Sequence, residues 1–449
     1  MTRDFQYLPL RHVAAVKNSN VDKLSLPGES PVRLCNYVDV YRNDRITQAV
    51  SFMRASATPS EIASFKLRQG DVLITKDSEQ WNDIGVPALV ATEADDLVCG
   101  YHLTMLRPHP SKIIGSYLAY ALRVPEVAVQ LHLAAKGVTR YGLSQQGIKS
   151  ALVPVPSLEE QGLMVRYLDH AELRIAKAIS AKQHMIALLD EREELALLQA
   201  ITQSDQPMTT DPRLDWLGEF PAHWDVKRLG SLLEERNEMN ADRRIQQVLS
   251  LVRKRGVMRY EDKGRIGNKR SDDVARYKVV REGDIVLNSM NVIIGSVGQS
   301  SYTGCLSPVY YVLKPRSNEL HNSYFNALFQ VERFHSSLVR FGKGILAHRL
   351  RIPMIDLKTV MLPVPPPDEQ LAIADRVVKA TAELKAAKAG IEAEISLLKE
   401  YRTRLISDVV TGKLDVREEA AKLPEIDPID LVNVAVGENG DDEEASDDD

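Results

Sequence analysis

The chain has 449 residues, with 57 Lys and Arg against 62 Asp and Glu, 44% hydrophobic and 27% charged residues. This is ordinary globular composition with mass for two or three cores, which excludes wholesale disorder, a collagen repeat or a disulfide scaffold. No stretch approaches the roughly 18 uncharged apolar residues of a membrane span. The opening MTRDFQYLPLRHVAAVKNSN lacks the apolar run of a secretory leader, so a soluble, cytoplasmic protein is expected. Cys35, Cys99 and Cys305 lie far apart and form no CxxC pair, and they read as buried thiols. The net charge of -5 is set by the last thirteen residues, GENGDDEEASDDD, which carry eight acids and no base. Without them the balance turns positive. A run so acidic and so poor in apolar residues is expected to be a solvated, disordered end.

In chain order, residues 1–156 form a first mixed segment. Gly70-Asp71 opens a short β-branched run to Thr75, and Ser116 to Leu122 has helical character. Residues 157–203 open with Ser157-Leu158-Glu159-Glu160, a helix start with acids in its first turn, and contain no Pro. Leu168, Ile175 and Leu189 fall on one heptad line of this helix, which Lys182 interrupts, while Ile179 and Ile186 form a second line. Residues 204–214 have the composition of an exposed linker. A second mixed segment, 215–365, begins Trp216-Leu217-Gly218-Glu219-Phe220-Pro221-Ala222-His223-Trp224, read as a packed lead-in rather than a ligand contact. Its strand signals are Asp284 to Leu287, after another Gly-Asp turn, and Val309 to Leu313; Ser323 to Gln330 reads as a helix. Residues 366–411 form a second long helix, in which Val377, Leu384, Ile391, Leu398 and Leu405 stand seven apart. That is a coiled-coil seam. At about 1.5 Å per residue each helix reaches roughly 65 to 70 Å. Residues 412–449 are a C-terminal segment ending in the acidic tail.

The chain repeats itself. Leu106-Arg107-Pro108 recurs as Leu313-Lys314-Pro315, Ser116-Tyr117 as Ser323-Tyr324 and Lys136-Gly137 as Lys343-Gly344, all in one register. Gly70-Asp71-Val72 answers to Gly283-Asp284-Ile285, and Pro154-Val155-Pro156 with Glu160-Gln161 answers to Pro363-Val364-Pro365 with Glu369-Gln370. Small shifts of offset between these blocks are what loops allow. The expected architecture is therefore α+β: two related mixed domains and two long helices that bury their stripes on each other, antiparallel, as an internal pseudo-twofold repeat.

The lead-in from Trp216 to Leu229, the twice-used Pro-Val-Pro junctions with Glu-Gln, and the long helix after each resemble the specificity subunit of a type I restriction-modification system. The resemblance covers about residues 25–415, and the duplicated order of the motifs is its most specific part. It departs in the first copy, which has no counterpart of the Trp-Leu-Gly-Glu lead-in. The resemblance implies two target recognition domains, each reading one half of a split DNA sequence, and helices that dock methyltransferase subunits, two of them on a pseudo-symmetric scaffold. Restriction and translocation subunits join through these. S-adenosylmethionine and ATP are then expected in partner subunits and no cofactor or metal in this chain. Helices of this length would span about two DNA turns of roughly 34 Å each.

The strongest electrostatic signal runs from Arg253 to Arg270, eight bases against two acids in eighteen residues. Arg253, Lys254, Arg255, Arg259, Tyr260, Lys263, Arg265, Lys269 and Arg270 are the candidate DNA contacts there, some for phosphates and one or two for guanine edges. Such a run otherwise makes an ordinary solvated face. A second candidate is the loop before each Pro-Val-Pro junction, with Lys136, Arg140 and Tyr141 in the first domain and Lys343, His348 and Arg349 in the second.

Catalytic signatures are missing. There is no G-x-x-x-x-G-K-[ST], no His-Glu-x-x-His, no S-adenosylmethionine glycine motif and no Asn/Asp-Pro-Pro-aromatic tetrapeptide. Gly295-Ser296-Val297-Gly298 is one residue short of a nucleophile elbow and reads as a turn, as do the Gly-Asp pairs. The sequence thus favours a non-catalytic DNA-recognition subunit. A coiled-coil scaffold that binds only protein would leave the basic run unexplained, and an enzyme that modifies DNA alone would need a site the chain does not show.

Overall fold

The computed structural model describes residues 5–264, 270, 271, 273–343, 350–426 and 431. The acidic tail and Arg265, Lys269, His348 and Arg349 lie outside the described residues. The described residues form two compact units: one of those up to His184 together with 392–426 and 431, the other of Met185–Ile391. The long helices Leu158–Thr202 and Pro367–Val410 each contribute to both. Among the described residues no helix is long and apolar enough to cross a membrane.

In the first unit a five-stranded sheet runs in the order Ala14–Asn18, Leu103–Pro108, Val72–Thr75, Pro87–Val90, Arg45–Ile46. Its last pair is parallel and the others antiparallel. Val72 to Thr75 are buried on both faces, as a continuous apolar run in a central strand should be. Helix Gly115–Arg123 packs on this sheet and buries Tyr117, whose hydroxyl donates to the carbonyl of Pro154 at 3.1 Å. Strand Tyr7–Pro9 pairs with Leu152–Pro154, the strand that leads into the first long helix.

The second unit repeats this plan on a four-stranded sheet, Leu233–Glu235, Tyr310–Pro315, Ile285–Asn288, Val297–Gln299. Tyr324 on helix Asn322–Gln330 donates to Pro363 at 3.0 Å, and Asp225–Arg228 pairs with Met361–Val364. One glutamine at the head of each long helix locks it to its domain. Gln161 accepts from the amide of Ile114 at 2.8 Å and donates to the carbonyl of Pro156; Gln370 accepts from His321 at 2.9 Å and donates to Pro365. Both glutamines are buried, where an unpaired amide would be costly. This explains why Glu-Gln follows each Pro-Val-Pro.

The helices pack antiparallel within each unit. In the first, Met164 and Leu168 share a core with Leu405, Ile406, Val409 and Val410, and Lys182, which breaks the heptad line, pairs with Glu394. In the second, Leu197 and Ile201 meet Ile373 and Val377, and the Lys388 ammonium reaches Asp190 at 2.6 Å and Glu193. Lys388, like Thr381, occupies a seam position, so the seam is only partly apolar.

The missing lead-in of the first copy has a structural answer. In the second unit Leu214, Trp216, Leu217, Phe220 and Trp224 follow the end of the first long helix into the core; Trp216 meets Phe334 edge-on at 4.8 Å and Trp224 donates to Glu369 at 3.0 Å. In the first unit it is the stretch after the second long helix that enters the core, with Val416. No tryptophan is used there. The cysteines are free and buried, and desolvation pushes the thiols of Cys35 and Cys99 well up.

Candidate nucleic-acid interface

In the first unit, Lys136, Arg140 and Tyr141 come together on a hairpin, Ala135–Gly137 with Tyr141–Leu143, that adds to the short strand Asp77–Ser78. Gly137 has φ +153°, and a Cβ there would sit 1.9 Å from the carbonyl oxygen of Arg140, so the turn demands glycine. Lys136 and Arg140 are exposed, and neither meets an acid among the described residues. Around the hairpin stand aromatic groups that sequence reasoning missed. Trp81, 48% exposed, packs edge-on against His132 at 6.4 Å, and Tyr101, 43% exposed, lies over His102 at 3.9 Å. His102 is held by Asp77 at 2.9 Å. Tyr41 stacks on Tyr37 and donates to Asp83 at 2.8 Å. Trp81 in the polar stretch Asp77-Ser78-Glu79-Gln80-Trp81-Asn82-Asp83 was the one available signal, since an indole amid turn residues has no periodic face to bury. Together these groups make a surface with π faces beside unpaired cations, which suits contact with nucleic acid.

In the second unit the basic run begins as a hairpin, Leu249–Val252 with Gly256–Arg259. Its tip is shaped by Lys254 at φ +60° and by Gly256. The bases of the run are not equivalent. Lys254 pairs with Asp190 at 2.7 Å, and Arg253 donates to the carbonyl of Ile294 at 2.7 Å. Arg259 stacks over Tyr302 at 5.4 Å. Lys263 is only 3% exposed, with its ammonium 4.4 Å from the Tyr260 ring centre, so it presents little charge to a partner. Tyr260 accepts from the amide of Arg270 at 3.0 Å. Arg255 and Arg270 are exposed, with guanidinium groups that donate to no described residue. Lys343 pairs with Asp356 at 2.8 Å, apart from the hairpin in sequence and in sheet.

The Gly-Asp turns are structural. Asp71 is 2% exposed and takes both prongs of Arg107, at 2.6 and 2.8 Å, while also capping its own turn at Arg68. Asp284 does the same with Arg236 and Arg281. Gly295 closes the turn after Val292–Ile294, and Ser296 is buried. Among the described residues no group of His, Cys, Asp and Glu is placed to hold a metal.

A family model, the type I restriction modification DNA specificity domain, matches residues 38–182. The chain is similar to the curated "Putative type I restriction enzyme MjaX specificity subunit" of Methanocaldococcus jannaschii, with 24% identity over 362 residues, 80% of this chain and 81% of that protein. Its fold is similar to a chain in the solved structure titled as the basis of complex assembly and conformational transition of the type I R-M system. There the TM-score is 0.57 and identity 17%, over 92% of this chain and all of the other. Residues 38–182 thus carry a type I restriction modification DNA specificity domain, and the chain over most of its length is similar to a type I restriction enzyme specificity subunit.

Proposed function

We propose that this chain is the DNA-recognition subunit of a type I restriction-modification complex, reading a split target with one domain per half-site. The observation that carries the reading is the duplication itself: two domains on one plan, each presenting unpaired exposed bases, Lys136 and Arg140 in one and Arg255 and Arg270 in the other. Phosphate contacts by such groups give register and affinity, and base-edge contacts give sequence. The long helices recruit methyltransferase subunits, two by the symmetry of the repeat. Their exposed apolar side chains support this role: Leu195 is 61% exposed, Val378 66% and Leu397 63%. Methylation and cleavage, with S-adenosylmethionine and ATP, then belong to partner subunits in the cytoplasm, and this chain supplies the address.

The test is purification of the chain with its partners from its own cells, followed by sequencing of protected DNA. A methyltransferase recovered with fragments sharing a split motif supports the reading. A protein partner with no DNA enrichment overturns it in favour of a protein-binding scaffold. Binding should also weaken steeply with salt, with a log-log slope near -0.9 per phosphate contact.

A further inference from the structure

Beside the hairpin of the second unit lies a cleft of about 360 Å³. Tyr260 and Tyr310 form part of its wall, and Arg270, Asp273 and Arg276 are exposed at it. Asp273 caps the one-turn helix Val274–Arg276, so its carboxylate and the Arg276 guanidinium leave opposite ends of a single turn. One oxygen of Asp273 accepts from the amide of Ala275 and from Arg243, both at 3.1 Å. Its other oxygen has no hydrogen-bond partner among the described residues, and neither has the Arg276 guanidinium. The Ala275 amide, with Arg243 and Arg276 nearby, holds the Asp273 carboxyl below its ordinary range, so the free oxygen is an acceptor at neutral pH.

A phosphate contact does not account for this pair, because a carboxylate beside the arginine repels the DNA backbone. A base pair does. In the major groove a G·C pair offers two acceptors, guanine O6 and N7, next to one donor, the cytosine amino group. An arginine fork answers the first and a carboxylate oxygen the second.

We propose that Arg276 and Asp273 read one G·C pair in the half-site of the second domain, Arg276 on guanine and Asp273 on cytosine. This rests on the DNA-recognition reading above and extends it to residues outside the basic run. The first domain has its own surface of aromatic groups and two unpaired bases, so the specificity for this pair is confined to one half-site.

The test uses the complete complex, with its target found from protected fragments. Arg276→Ala removes the guanine donors, and Asp273→Ala removes the acceptor. Each should relax selection at the same single G·C pair of one half-site and leave the other half-site unchanged. Placing 7-deazaguanine at that position removes N7 and should weaken wild-type binding by about 5- to 150-fold while leaving the Arg276→Ala complex indifferent. The proposal is overturned if both variants, melting as the wild type does, select an unchanged motif, or if they weaken all sequences equally, which would mark a backbone contact. A complex that protects no split motif would instead sink the DNA-recognition reading itself.

Discussion

The two domains place the same aspartate in the same turn and satisfy it with different arginines. Asp71 is clamped by Arg107 from strand Leu103–Pro108, whereas Asp284 is clamped by Arg236, just after strand Leu233–Glu235. At the position matching Arg107 the second copy has Lys314, which pairs with Glu234 on the surface. A second exchange lies beside it. Helix Gly115–Arg123 begins with a glycine pressed against the carbonyl of Gly70, where a Cβ would come within 2.1 Å. Its counterpart Asn322 stands off and donates its side-chain amide to the carbonyl of Gly283 at 2.8 Å. The lesson is that a duplicated fold preserves the need, a buried carboxylate or carbonyl that must be satisfied, more strictly than the residue that meets it.

The sharpest way to break the comparison is to remove each arginine. Arg107→Ala and Arg236→Ala should each destabilise their own unit by about 3–5 kcal/mol, because each strands a buried carboxylate. Denaturant melts that follow the two units separately would show it; an effect under about 1 kcal/mol in either would mean that Asp71 or Asp284 finds another donor. Next in size, Gly115→Ala should cost about 1–3 kcal/mol by forcing helix and turn apart, while Asn322→Ala costs about 1 kcal/mol for a lost hydrogen bond. Equal costs would mean that the two helix starts are not distinct solutions.

The second unit should also lose stability in acid. His335, in the second, is buried with Nδ1 2.9 Å from the Ile293 carbonyl, and desolvation holds its pKa below 6.5. The unfolded chain therefore binds the proton first, and stability is lost as pH falls from about 6.5 toward the folded value. Melts of the second unit at pH 7 and pH 5 should differ, and the difference should shrink in His335→Asn. The smallest effects are electrostatic. Lys136→Ala and Arg140→Ala should each flatten the salt dependence of DNA binding by about one unit without changing sequence preference. A changed preference would make either of them a base reader.

The architecture was legible in the sequence because its signals are long or repeated. The unbroken helices, the β-branched runs after Gly-Asp turns and the duplicated Pro-Val-Pro junctions each occupy contiguous residues. The interface was less legible because a charge run does not say where its charges point. Arg253, Lys254 and Lys263 look alike in sequence to Arg255 and Arg270, yet the first three are engaged with Ile294, Asp190 and the Tyr260 ring. Asp190 lies 64 residues from Lys254 along the chain, a separation no local pattern carries. Arg276 and Asp273 escaped notice because they stand just past the run, in a stretch of mixed sign.

The stretch after the second long helix that completes the first unit has a consequence for how the chain is made. Among the described residues the second unit is a single contiguous stretch, Met185–Ile391, and can close as soon as it has left the ribosome. The first unit leaves Met164 and Leu168 without their partners until Leu405 to Val416 arrive. The last domain to be encoded is then the first to be finished. Closing the earlier one over so long an intervening loop costs only a few kcal/mol of entropy, provided the second unit has already folded and shortened the effective span.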